Sequence, residues 1–315
     1  MVCGLIIAGG KGERINPLSF EFQKCMLPIA NKPMLQYQIE FFKQVGIKDI
    51  TIIVAFNKEQ IINYFGDGKK FGVSIKYVDV LQDYPQGLAK AVERARPFMK
   101  DGKFVVFLGD IFLELESIER IKKIVADASD NKAYVVVKHE KNPEEIRKNF
   151  SVETNAEGRI FKVVEKPSQL PNDLKGCGLY VFPQEIFKAI EQTPCSKTRG
   201  MFELTDSIQK LIDLKVPTFV LDIVKEDANI TFISDVLKIN LEQLKKLKKE
   251  SLIGENVSMP KGTKVSNSII GGNATIEKPI RIENCVIFSN AKVYGSEALE
   301  NYVITQRQKL LCNSA

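Results

Sequence analysis

A chain of 315 residues, 44% hydrophobic and 27% charged, is long enough to bury one large core and a smaller one and has the composition of an ordinary soluble globular protein. Its net charge of +6, with acidic residues interspersed among the basic ones, suits small anionic substrates and does not call for nucleic acid. The single histidine, His139, sets aside catalytic schemes and metal sites built on several histidines. Six scattered cysteines without a Cys-x-x-Cys pair read as free thiols of a reducing cytoplasm, and no apolar run approaches a membrane span.

In chain order, residues 2–8 read as a buried first strand and not a signal peptide, because they lack a basic leader and a cleavage site. Ala8, Gly9, Gly10 and Gly12 follow, a tight turn where bare backbone N–H groups face an anion. Arg14 and Lys24 add fixed positive charge, one as a planar fork and the other as a point charge. The P-loop pattern fails here, since Gly12 is followed by Glu13 and Arg14. The dinucleotide fingerprint fails as well, because Ile15 stands where its third glycine belongs.

Residues 33–42 have helical spacing with Pro33 near the first turn and Gly46 beyond the end. Residues 50–55 are a β-rich run suited to a strand covered on both faces. A helix at 59–64, a strand at 74–80, a helix at 88–99 and a strand at 104–108 continue the rhythm. This alternation predicts an α/β fold with a mostly parallel, Rossmann-like sheet and ligands at the carboxyl ends of its strands. Gln82 and Gly87 fall at one such end: a Gln amide reads a pyrimidine edge with donor and acceptor, and a glycine lets backbone approach a base, although an ordinary polar turn has the same composition. Asp110 follows the strand at 104–108 directly and is placed to hold Mg²⁺ against phosphates. Glu165 and Lys166 end a strand at 160–164 with one acceptor for hydroxyls and one cation for a phosphate. A helix carrying Leu237, Leu241 and Leu244 ends in Lys245, Lys246, Lys248 and Lys249, where the helix dipole favours cations.

From Ile253 the texture changes. Ile253, Met259, Val265, Ile276, Ile282, Phe288 and Tyr294 recur at six residues with one slip, the mark of a parallel β-helix of two or three coils. So short an array is expected to pack on the first domain or on another subunit. Three segments result: a catalytic domain at 1–250, a hexapeptide-repeat β-helix at 251–304, and a loose polar tail at 305–315.

The stretch Gly9-Gly10-Lys11-Gly12-Glu13-Arg14-Ile15-Asn16-Pro17, with Lys24 seven residues after that proline and then Leu27-Pro28-Ile29-Ala30-Asn31-Lys32-Pro33, resembles the signature of sugar-1-phosphate nucleotidyltransferases. The likeness is closest to the glucose-1-phosphate thymidylyltransferase group in its long form, with a C-terminal left-handed parallel β-helix. It implies an NTP, with dTTP or UTP favoured, and a sugar 1-phosphate as substrates, Mg²⁺ as cofactor, a cytoplasmic homo-oligomer, and no membrane or nucleic-acid partner. By the same resemblance Arg14 and Lys24 hold the triphosphate and Asp110 the metal. Gln82 and Gly87 meet the base, Glu165 and Lys166 the sugar phosphate, and Ser151 and Gly178 line the sugar pocket. Two departures stand out. Ser151 replaces a glycine, and Asn229 replaces the second metal-binding aspartate, with Asp227 or Asp222 as possible compensation. A regulatory protein that binds nucleotide but is catalytically weakened at Asn229 is the alternative reading. An acyltransferase is disfavoured, because the repeat array is short and holds no general-base histidine.

Overall fold

The computed structural model describes residues 2–82, 86–100, 102–127 and 130–312. They fall into two compact units, one made of residues 1–10 and 38–227, the other of residues 11–37 and 228–315. The division differs from the expected boundary at 250, because the segment after the first strand belongs with the C-terminal part.

The first unit is built on a nine-stranded sheet. Cys3–Ile7 lies at its centre, paired in parallel with Phe104–Leu108 and with Asp49–Val54, which in turn pairs with Ser74–Asp79. The first three are the apolar runs legible in the sequence, and their burial on both faces accounts for the absence of alternation. Leu174–Phe182 enters antiparallel, pairing with Phe104–Leu108 and, at Lys175, with Phe150–Thr154 along one edge and with Ala133–His139 along the other. The parallel rhythm of the N-terminal half therefore stops at this strand. Helices Leu88–Arg94, Glu185–Glu191 and Leu204–Asp213 contribute Ala89, Val92, Ile186, Ile190, Ile208 and Leu211 to a core shared with the sheet. Among the described residues no helix is long and apolar enough to cross a membrane.

In the second unit three parallel ladders pair residues 17 apart: 252 with 269, 269 with 286 and 286 with 303; 264 with 281; 275 with 292. The inward positions Val265, Ile270, Ile276, Ile282, Ile287, Val293, Leu299 and Ile304 advance by five, six and six residues in turn. A strict six-residue count thus drifts by one position per 17-residue repeat. Phe288 and Tyr294, expected inside, give way to Ile287 and Val293, and Tyr294 is 66% exposed. The true period is written in the asparagines. Asn256, Asn273 and Asn290, and likewise Asn267, Asn284 and Asn301, recur every 17 residues in the left-handed conformation that asparagine tolerates. Asn256 donates to Asn273 at 3.3 Å and Asn267 to Asn284 at 2.6 Å. We expect Ile287→Ala to cost about 2–5 kcal/mol of unfolding free energy and Tyr294→Ala less than about 0.5. Denaturant titration of the two variants distinguishes the 17-residue coil from an 18-residue one, which would reverse the order.

The expected loose tail is a further correction. Lys309–Leu311 is a strand antiparallel to Tyr302–Ile304, and Cys312 is buried, because the last coil would otherwise present an unpaired edge.

Candidate active site

In the first unit the strand Cys3–Ile7 runs out into Ala8, whose N–H donates to the Ile53 carbonyl at 2.9 Å. Gly9 is buried, with room for a Cβ only 3.4 Å from Ala55, whereas Gly10 faces open space. Alongside, the Gly109 N–H donates to the Ile7 carbonyl at 2.9 Å, and a Cβ there would lie 2.7 Å from that oxygen. Only glycine permits this approach, which sets the half-buried Asp110 at the carboxyl end of Phe104–Leu108, beside the exit of the first strand. Gln38 secures the turn, its buried Nε2 donating to the carbonyls of Leu108 at 2.9 Å and Ile111 at 3.0 Å. Gly178, at φ +70°, packs against Ile111 and Leu108 where Leu174–Phe182 shifts register.

Gln82 is exposed, next to residues 83–85 of the expected base-reading turn, which lie outside the described ones. Gly87, at φ +105°, does meet a close backbone, but that of Phe202: a Cβ would lie 2.5 Å from the Phe202 carbonyl. Phe202 N–H donates to Gln86 and Ala89 N–H to Phe202, so the glycine is needed for this exchange whatever else it meets.

Glu165 gathers a cluster. Its Oε2 accepts from Thr205 Oγ1 at 2.8 Å and its Oε1 from Arg199 at 3.0 Å, and Arg199 also pairs with Glu203 at 2.7 Å. Burial raises the Glu165 carboxyl above its usual range, with Glu203 adding to the rise and the Thr205 hydroxyl and Arg199 opposing it. Burial likewise raises Asp206, against Arg199. Lys166 is exposed, held at φ 45° with its N–H on the Asn149 carbonyl at 2.7 Å. Ser151 is fully buried, and among the described residues its hydroxyl has no hydrogen-bond partner. Arg199 was not among the residues expected from the sequence, although it stands four residues before the acid Glu203 that it pairs with.

A second set of charges went unread. Lys175, 3% exposed at its side chain, reaches both oxygens of Asp227 at 2.9 and 2.8 Å and Glu140 at 3.2 Å. Lys138 bonds the same two acids at 3.0 and 3.1 Å. Burial would lower Lys138, but Asp227 and Glu140 outweigh it and push the ammonium above the lysine range. For Glu140, burial alone would raise the carboxyl; the Asn142 N–H and the two lysines hold it down to about 2. Asp227 is therefore committed to lysines. Asp222 is 48% exposed beside His139, which is itself an exposed strand-end residue bonded to Asp173. Among the described residues no three His, Cys, Asp or Glu side chains gather as a metal site.

In the second unit Gly12 sits at φ +68° at the head of the turn Glu13–Ile15, which leaves Arg14 exposed. Lys24 opens the turn Lys24–Met26 and is 8% exposed; the Gln23 side chain accepts its backbone N–H at 2.5 Å, and its Nζ donates to Asn229 Oδ1 at 3.0 Å. Asn229 thus meets the loop lysine through its amide oxygen. Asn240, fully buried, fastens the rest of the signature: it accepts from Ala30 N–H at 2.8 Å and donates to the Pro28 carbonyl at 2.9 Å.

Comparison with known proteins gives a concordant result. A family model described as Nucleotidyl transferase matches residues 3–227. The chain is 35% identical over 212 residues to the low-salt glycan biosynthesis nucleotidyltransferase Agl11 of Haloferax volcanii, covering 67% of this chain and 57% of that protein. It is 31% identical over 274 residues to a glucose-1-phosphate thymidylyltransferase of Streptomyces griseus, covering 84% and 74%. Among solved structures, a glucose-1-phosphate thymidylyltransferase described as putative, from Bacillus anthracis, superposes with a TM-score of 0.67 at 24% identity over 76% of this chain and 94% of the other. That last likeness speaks for the fold.

Proposed function

Because the chain belongs to the nucleotidyl transferase family, we propose that it joins a sugar 1-phosphate to a nucleoside triphosphate, releasing pyrophosphate and an NDP-sugar, with dTTP or UTP as the nucleotide. The attacking oxygen belongs to a phosphate that is already ionised, so no general base is required and catalysis reduces to in-line positioning and neutralisation of charge. A chain with one histidine is adequate to that task.

The observation that carries the reading is the Gly109–Ile7 approach, which leaves a carboxylate, Asp110, at the carboxyl end of the central strands beside the glycine exit of the first. In this reading the amides of Ala8, Gly9, Gly10 and Gly12, with Arg14 and Lys24, hold the triphosphate. Gln82 and Gly87 serve the base, Glu165 and Lys166 the sugar phosphate, and Ser151 and Gly178 line the sugar pocket. Asp110 is a hard oxygen donor suited to Mg²⁺, which usually takes one or two protein carboxylates and fills its shell with phosphate oxygens and water. Bound there, the cation would neutralise charge on the phosphates. Asn229 supplies an amide oxygen already engaged by Lys24, so we assign it to holding Lys24. The ladders with a 17-residue repeat are read as a left-handed parallel β-helix, and the protein as a cytoplasmic homo-oligomer.

Pyrophosphate release assayed over four or five nucleoside triphosphates against several sugar 1-phosphates tests the activity. Turnover with one pair supports it. Nucleotide binding without turnover for any pair would favour a regulatory protein instead. Asn229→Asp tests the local assignment: we expect activity at limiting Mg²⁺ to stay level or fall, and a rise would place position 229 in the metal shell.

A further inference from the structure

The hairpin that closes the last coil does more than cap the ladder. Its turn, residues 305–308, joins Tyr302–Ile304 to Lys309–Leu311. A turn needed only to cover an edge would be solvated, yet Thr305 is 2% exposed. Its hydroxyl accepts the N–H groups of Arg307 at 3.1 Å and Gln308 at 3.0 Å, and donates to the carboxylate of Glu21, whose oxygens lie 3.0 and 2.9 Å away. Gln308 Nε2 donates to the Pro17 carbonyl at 3.3 Å. One 17-residue repeat back, Phe288 packs edge-on against Phe22, with ring centres 5.1 Å apart, and two repeats back Asn31 donates to the Ile270 carbonyl at 3.0 Å. Pro17, Glu21 and Phe22 all lie between Arg14 and Lys24 in the signature stretch, within the same compact unit.

We propose that the C-terminal hairpin is a positioning element for the phosphate loop: Thr305 and Gln308 fix residues 17–22, and through them the backbone that presents Arg14 and Lys24. This also explains why Phe288 and Thr305, which do not belong to the inward face of the coil, are buried. The functional consequence rests on residues 9–24 being a triphosphate loop; the mechanical link does not.

The test uses the full chain with Thr305→Val, which keeps the shape and removes the hydroxyl, Thr305→Ser, which restores it, and Gln308→Ala, which leaves the strand pairing intact. Amide hydrogen exchange of residues 12–22 is the first readout. We expect exchange there to quicken at least tenfold in Thr305→Val, less in Gln308→Ala, and to return in Thr305→Ser, while residues 264–299 keep their protection. The second readout is steady-state kinetics, in which KM for the nucleoside triphosphate rises three- to tenfold and KM for the sugar 1-phosphate stays within twofold. Unchanged exchange at 12–22 in both Thr305→Val and Gln308→Ala overturns the link. An equal rise in both KM values overturns the positioning role. If the unaltered protein binds no nucleotide, the functional reading fails by itself and the exchange result still judges the hairpin.

Discussion

Lys24→Ala is expected to lower kcat/KM for nucleotidyl transfer about 10²- to 10³-fold, which corresponds to about 3–4 kcal/mol of transition-state stabilisation, the scale of other preorganised electrostatic groups. The reason lies in the environment. Lys24 is buried, its backbone is set by Gln23 and its Nζ by Asn229, so the ammonium is already oriented and little reorganisation is left for the reaction. Lys24→Arg tests geometry apart from charge. The planar fork cannot occupy the same hydrogen bond to Asn229, and most of the loss should remain. Turnover of Lys24→Ala within about threefold of the unaltered protein would remove Lys24 from the mechanism.

The second large effect is on stability. Lys175→Met is expected to cost about 3–5 kcal/mol, because it leaves Asp227 and Glu140 with a single ammonium between them in a site where both side chains are nearly enclosed. Lys175→Met combined with Asp227→Leu should recover most of that loss, since a buried pair replaced by apolar groups of similar volume is often close to neutral. Chemical denaturation of the single and double variants measures both. The acid limb follows from Glu140. Its carboxyl is lowered from an ordinary 4.5 to about 2 in the folded chain, so its contribution is present above pH 4.5 and is lost as pH falls toward 2. Glu140→Gln should flatten that limb, and an unchanged pH profile would show that the network contributes little.

What the sequence disclosed and what it hid divide along physical lines. The central strands were legible because continuous apolar runs such as Phe104–Leu108 admit few other readings, and Asp110 was placed at a strand end for the same reason, whereas the close approach of Gly109 to Ile7 shows only in the fold. Gln38 was not legible. Its amide is one polar group on a buried helix face, and only the fold shows that it spans the Asp110 turn. Lys175 carried a signal that went unused, since a lysine inside a strand of glycines and apolar residues must find an acid, and Asp227 lay 52 residues away. Gly87 is a glycine whose need the Phe202 backbone already accounts for, so its presence in the sequence does not by itself point to a ligand. In the repeats, apolar residues alone mislead, because Phe288 is as buried as Ile287 but on the outer side; the left-handed asparagines hold the register.

The central claim is that the main-chain amides at the end of the first strand grip a triphosphate. A crystal soaked with nucleoside triphosphate and Mg²⁺ decides it: the account predicts phosphate density against the amides of residues 9–14 with the cation on Asp110, and triphosphate bound anywhere else would contradict it.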